Sequence, residues 1–501
     1  MSRLSFPLLF LAFGIAANIV SAQTFTTLYS FSGADGWAPY TGLVQATNGE
    51  LYGTTVTDAV GTIFKMTPGG TLTTLVNFCQ SGCGVVGAYP AALVQATNGD
   101  LYGTTALGGT GAYCSVAGGC GTVFKMTPSG AFTTLYSFCA QSGCADGLYP
   151  GSALVQAANG DFYGTTIDGG ANGGGSIFKI TPSGTLSTLY SFCSQSACAD
   201  GETPYNSLVQ ASNGDFYGTT SSGGASTGCA ASQSGPGCGT VFKITPSGML
   251  TTLYSFCSKS GCTDGADPLS ALIQATNGDL YGTTASGGVN CAVGGVIPGC
   301  GTIYKITPGG ALTTLYSFCS LYECADGETP QQGALVQGED GDFYGTTPFG
   351  LNNGTIFKIT PRGKLTTLYS FCSLSECADG EVPFAGLVQA TNGIIYGTTY
   401  NGGTGTSCSG GCGTVFSLST GQAPFVETVP TIGVVGERVR ILGYKLTGAT
   451  TVTFNGVPAA FTVDAETEIT TKVPAGATTG EVEVVTPDGA LSTKVAFEVA
   501  P

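Results

Sequence analysis

Twenty cysteines and a recurring Asp-Gly are the residues in this 501-residue chain whose types and spacing could do chemistry. The cysteines form ten close pairs: Cys79/Cys83, Cys114/Cys120, Cys139/Cys144, Cys193/Cys198, Cys229/Cys238, Cys257/Cys262, Cys291/Cys300, Cys319/Cys324, Cys372/Cys377 and Cys408/Cys412. Thiols so spaced either ligate a metal or join as disulfides. Tetrahedral zinc takes four ligands, whereas these pairs recur in separate repeats. An even count in an exported chain belongs to an oxidising compartment. The spacing therefore predicts ten disulfides and no metal centre.

The aspartates are Asp35, Asp146, Asp200, Asp264, Asp326 and Asp379, in phrases such as "GADGWAP" and "CADGETP"; one further copy, "CGVVGAYP", lacks the acid. An aspartate before glycine builds an Asx-type turn. Arranged in a ring, the same carboxylates would take calcium or a cationic ligand, since hard cations take oxygen ligands. No EF-hand spacing is present. Beside them stand Trp37, Tyr40, Tyr89, Tyr149, Tyr205 and Phe384, and Trp37 is the only tryptophan. Such rings either pack under the loops beside proline or, at a channel mouth, form a stacking platform for a sugar or an extended peptide.

The absence of histidine excludes Ser-His-Asp triads, HExxH sites and His-ligated zinc. Paired carboxylates do glycoside chemistry without it, yet a repeated aspartate is not an asymmetric acid/base pair. The nearest unmatched cluster, "GEDGD" at 338–342, stands where other copies have "ATNGD".

The elements that must position these residues are seven repeats. Tyr52, Tyr102, Tyr163, Tyr217, Tyr281, Tyr344 and Tyr396 each open a YGTT, at spacings of 50 to 64 residues. These mark repeats 1 to 7. A period in this range with short alternating strands and turn residues suits propeller blades. Repeat 2 supplies four strand-like pieces, "ALVQA", "LYGTT", "GTVFKMTP" and "AFTTLYSF", joined by Asn-Gly and Pro-Ser-Gly turns. "TFTTLYSF" at 24–31 is a fourth strand without a third, and "GTVFSLST" at 413–420 a third without a fourth. Pairing them closes a ring that would otherwise leave two open edges. The expected fold is all-β: a seven-bladed β-propeller over 23–420, closed by strands from both ends.

In antiparallel four-stranded blades the first-to-second and third-to-fourth turns lie on one side of the disc. The second-to-third loops and the blade-to-blade crossings lie on the other. The loops holding Cys114/Cys120, Cys229/Cys238, Cys291/Cys300 and Cys408/Cys412 are the long ones, and the other six pairs fall in crossings. All ten disulfides are thus expected on one face, each stabilising by about 2 kcal/mol if loop entropy is the cause.

Residues 1–22 read as a cleavable signal peptide: Arg3, an apolar run from Leu4 to Val20, and Val-Ser-Ala before Gln23. No later segment is apolar enough to span a bilayer. A net charge of −16 without a basic patch excludes nucleic acid and disfavours an anionic membrane.

The phrase "LVQ…NGDLYGTT…GTVFKITPSGTLTTLYSF" resembles the GloVer (Gloeo-Verruco) tandem repeat family over about residues 24–420. That resemblance implies an exported bacterial β-repeat protein and supplies no catalytic residues; the last copy departs with "FSLST". After a linker at Gly421–Pro424, the cysteine-free tail has short strands suited to an Ig-like sandwich. Its "VPAGATTGEVEVVTPDG" run resembles the IPT/TIG family across 425–501, which implies an accessory or binding module.

The expectation is a secreted or cell-surface, non-enzymatic, monomeric binding or adhesion protein. Its partner would be an extracellular glycan or surface protein on the disulfide-bearing face, with no cofactor and at most Ca²⁺. The alternatives are a purely structural envelope component and a polysaccharide hydrolase or lyase using loop carboxylates.

Overall fold

The computed structural model describes residues 23–57, 60–78, 87–114, 118–226, 237–290, 300–351 and 353–500. Residues 1–22 lie outside it, as do Cys79 and Cys83 and one member each of the 229/238 and 291/300 pairs. Among the described residues no helix is long and apolar enough to cross a membrane. Residues 24–419 form seven antiparallel sheets, one per repeat, of four strands each with an added short strand in repeat 2.

Repeat 3 shows the pattern: Val155–Gln156, Phe162–Thr166, Ser176–Ile180 and Leu186–Ser191. Phe162–Thr166 is buried along its whole length, whereas Leu186–Ser191 is only partly buried. Only two residues of the expected five-residue first strand pair, because the next residue already bonds the Asn-Gly turn (Ala157 N–H to Asp161 C=O, 2.9 Å). Thr24–Ser30 pairs with Thr414–Ser419, so repeat 7 draws its outer strand from the other end of the chain.

Each letter of YGTT has a physical task. The tyrosine is fully buried, and in six repeats its hydroxyl accepts a hydrogen bond from the turn asparagine at 2.9 to 3.4 Å. A Cβ on Gly103 would stand 2.6 Å from Phe124 Cζ. The first threonine donates to a backbone carbonyl of the next repeat, from Thr54 to Pro90 round to Thr398 and Pro39. The second shares a hydroxyl bond of 2.7 to 2.9 Å with a hydroxyl of the third strand, in six repeats that strand's first residue.

The LxQ glutamine also points backwards along the chain. In five places its Oε1 accepts the N–H of the preceding repeat's turn, as in Thr47 to Gln95 at 2.8 Å; Thr391 to Gln45 spans the two ends. Apolar cores lie between successive sheets, and one joins Leu51, Phe64 and Met66 of repeat 1 to Tyr396 and Val415 of repeat 7. The sheets thus pack cyclically.

The tail forms two four-stranded antiparallel sheets around one core of Val439, Ile441, Phe454, Ile469, Val482 and Val484. It meets the repeats on their short-turn side: Thr467 Oγ1 donates to Thr47 C=O at 2.9 Å and Lys494 Nζ to Gln389 Oε1 at 3.1 Å. The segment read as a linker is itself bonded. Gln422 Oε1 accepts from Glu339 N–H at 2.8 Å and from Gln389 Nε2 at 2.7 Å, taking the part that Gln389 would otherwise play.

Candidate ligand-binding mouth

The crossings begin with the aspartates. Asp146, Asp200, Asp264, Asp326 and Asp379 are fully buried. Asp200 accepts from Tyr190 Oη (2.8 Å), Ser194 N–H (3.0 Å), Ser194 Oγ (2.9 Å) and Gln195 N–H (3.1 Å). Asp264, Asp326 and Asp379 repeat the set, and Asp146 keeps the tyrosine and two backbone bonds. Half-buried Asp35 bonds Tyr29 and Ser32. The carboxylate ring considered for calcium or a cationic ligand is therefore corrected. Each acid is enclosed in its own crossing, and its oxygens are taken by donors.

Burial pushes Asp35 and Asp379 up, but the hydrogen bonds outweigh it and hold both below the ordinary carboxylate value. Burial first, with the bonded aspartate adding, pushes the Tyr29, Tyr190, Tyr254, Tyr316 and Tyr369 hydroxyls up to about 12. Within the same crossings lie Cys139–Cys144, Cys193–Cys198, Cys257–Cys262, Cys319–Cys324 and Cys372–Cys377. With Cys114–Cys120 and Cys408–Cys412 these are seven of the expected pairs. Cys238 and Cys300 are also disulfide-bonded. Loop and crossing pairs of one repeat converge: the Cys114, Cys120 and Cys139 sulfurs lie within 4.8 Å of one another. The pairs are thus less separate than their spacing suggests, yet these sulfurs are already spent in disulfides.

Toward the end of every crossing the backbone turns sharply. Ala38, Tyr89, Tyr149, Thr203, Asp267, Thr329 and Val382, each before a proline, all have φ between 53° and 58°. Left-handed non-glycine residues cost of order 1–3 kcal/mol and persist only where surroundings over-determine them. Here the N–H is held by the preceding repeat's loop, as in Ala38 to Cys412 C=O (3.0 Å) and Val382 to Asn353 C=O (2.9 Å). The turn sends the residues after the proline toward the common centre of the sheets. Asp267 is itself half-buried, and burial pushes its carboxyl up to about 6.

Two cavities open there. One of about 200 Å³ is lined by residues of all seven repeats, among them Tyr40, Ala92, Ser152, Asn206, Ala271, Gln332 and Leu387. The other, about 270 Å³, lies nearer the long-loop side, between Tyr40, Tyr89, Tyr205, Leu107 and Ile167. Tyr40 is hydrogen-bonded to Gln332 Nε2 and faces Tyr205; burial first, then Tyr205, raises its hydroxyl pKa. Its ring lies 5.5 Å from Phe384 and 5.9 Å from Tyr400, and Phe349 meets Phe384 at 6.0 Å.

Of the six aromatics expected at a mouth, Tyr40, Tyr89, Tyr205 and Phe384 are brought together there. Trp37 is instead packed into the core between repeats 7 and 1, its indole N–H buried without a partner among the described residues. Tyr149 is held in the turn, its N–H on Cys120 C=O (3.0 Å), away from both cavities. Sequence reasoning missed Tyr400, Phe349 and Gln332. Tyr400 had a signal: it follows YGTT where other repeats carry Val56, Ala106, Ile167, Ser221, Ala285 or Pro348.

An all-β chain of tandem antiparallel sheets with paired cysteines is the class these features define. The family model described as the Gloeobacter/Verrucomicrobia repeat matches residues 13–144, 58–230 and 228–416, and the chain belongs to that family. No curated protein matches the sequence. Among solved structures it is similar to the extracellular domain of a putative hybrid two-component system from Bacteroides thetaiotaomicron. Identity there is 11% and the TM-score 0.49, over 95% of this chain and 46% of that one, so the chain spans less than half its length. It is also similar to a putative oxidoreductase (glucose dehydrogenase) from Thermus thermophilus, at 15% identity and TM-score 0.37 over 79% and 99% of the two chains. A PQQ-bound aldose sugar dehydrogenase from Streptomyces coelicolor gives 11% identity and TM-score 0.36 over 79% and 98%. At such identity none of the three transfers an activity to this chain.

Proposed function

We propose that the repeats are a seven-bladed propeller carrying an Ig-like, IPT/TIG-type tail, and that the protein is exported and binds an extracellular partner without turning it over. The site is the central mouth on the disulfide-bearing face. One observation carries this reading: aromatic side chains from the crossings of several repeats converge on one cavity, held there by strained pre-proline turns. Function tolerates strain where scaffold alone would not need it. The disulfides accord with an oxidising compartment, and the partner is a glycan or a surface protein rather than nucleic acid. The test is oxidised protein against polysaccharide and surface-protein panels, with calcium and with chelator. Saturable binding lost in Tyr40→Ala supports it; silence across every ligand favours a structural envelope role.

Asp267 favours the second reading. A carboxyl pushed up to about 6 by burial, with its Oδ1 unpartnered among the described residues, is a fit general acid for glycan cleavage. Turnover abolished in Asp267→Asn would establish an enzyme.

A further inference from the structure

The long-loop face is chemically lopsided. In repeats 3, 4 and 5 the crossing turn before the second cysteine is Gln141-Ser142-Gly143, Gln195-Ser196-Ala197 and Lys259-Ser260-Gly261. In the two crossings that flank the repeat 6 loop it becomes Leu321-Tyr322-Glu323 and Leu374-Ser375-Glu376. Tyr322 is 85% exposed, Leu374 56% and Leu321 55%. Glu323 and Glu376 occupy φ of 51° and 56°, where Gly143 and Gly261 supply the same turn without strain.

These turns are joined through the repeat 6 loop. Leu351 N–H bonds Cys324 C=O at 3.4 Å, and Asn353 Nδ2 donates to Glu381 Oε2 at 2.7 Å. That loop is short, with 13 residues from Tyr344 to Phe357 against 23 in repeat 5 and 20 in repeat 7. It exposes Phe349 and Leu351, and Phe349 meets Phe384 of the mouth. An apolar track thus runs from the mouth outward over repeat 6, flanked by Glu323, Glu328, Glu376 and Glu381.

Cations are almost wholly on the opposite side. The third-strand lysines 65, 179, 243, 305 and 358 are paired with acids of the short turns, Lys125 holds the same strand position in repeat 2, and others lie in the third-to-fourth turn of repeat 6 or in the tail. Among the described residues of the long-loop crossings only Lys259 is basic, one repeat away from the track.

We infer that the track receives an extended polypeptide segment whose apolar side chains alternate with lysine or arginine. The inference rests on the proposed binding role of the mouth and narrows its partner. Branched aliphatic side chains such as Leu321, Leu351 and Leu374 offer no flat platform for a sugar, and the flanking carboxylates repel an acidic chain while steering a cationic one. Several large apolar side chains exposed on one face mark an interaction site.

The test titrates the oxidised protein with an alternating Lys-Leu peptide, a Glu-Leu peptide and neutral oligosaccharides, at low and high salt. The Lys-Leu peptide alone should bind, more weakly at high salt, and Glu323→Lys with Glu376→Lys should weaken it by about tenfold. Asp464→Lys with Glu466→Lys, the same charge change in the tail, should leave affinity unchanged. Leu321→Ser with Leu374→Ser should weaken it with the charges intact. Equal loss in both charge variants, or equal binding of the Glu-Leu peptide, overturns the inference. An oligosaccharide bound at the mouth without the peptide overturns it too, while preserving the binding role; silence from all three ligands removes both.

Discussion

Asp379 illustrates how one side chain can be read two ways. It is a carboxylate on a loop-bearing face, yet its oxygens accept four bonds within a single crossing. Removing its charge should expose that arrangement: Asp379→Asn is expected to destabilise the chain by about 1–3 kcal/mol, read as a lower denaturation midpoint. Because Asp35 and Asp379 are held below the ordinary 3.8, their contribution is present above that pH and is lost as the pH falls through the lower folded values. Asp267 behaves oppositely. Raised to about 6 by burial, it favours the folded state below 3.8 and opposes it as the pH climbs through 6. Asp267→Asn should therefore raise Tm at pH 7 and change it little at pH 4, as a pair of melting curves would show.

At the scale of the element, the YGTT strand and the LxQ strand explain why seven copies stay alike. Gly103→Ala would drive a Cβ to 2.6 Å from Phe124 and 3.0 Å from Leu93, an overpacking expected to cost about 1–3 kcal/mol. Gln45→Ala removes a bond between repeats 7 and 1 and should cost about 1 kcal/mol. Hydrogen exchange should then rise first at Thr391 and along Thr24–Ser30, where the ends of the chain meet. Much of this was legible in the sequence. Period and strand alternation gave the sheets, cysteine spacing gave the disulfides, and the unmatched end strands gave the pairing of 24–30 with 414–419. The rest depended on contacts far apart in the chain. An aspartate before glycine announces a turn but not the tyrosine ten residues earlier that fills its Oδ2. Nor does a residue before proline announce φ near 55°, which sequence bias alone would place in the extended region. Gln422 looked like linker because its partners, Glu339 and Gln389, lie 83 and 33 residues away.

For the whole molecule, the two sides of the sheets carry different work. The short turns hold the paired lysines and dock the tail, through Thr467 Oγ1 on Thr47 C=O and Lys494 Nζ on Gln389 Oε1. The other side holds the described disulfides, the strained turns and the aromatic mouth. A protein built this way should engage its partner on that second side alone. Hydrogen–deuterium exchange on the oxidised protein, with and without a ligand from the panels, reads this most directly. Protection at 38–43, 203–208, 382–387 and 398–401, with no change at the 46–50 and 390–394 turns or in the tail, is the result expected. Protection confined to the short turns or the tail would contradict a binding mouth on the disulfide-bearing face.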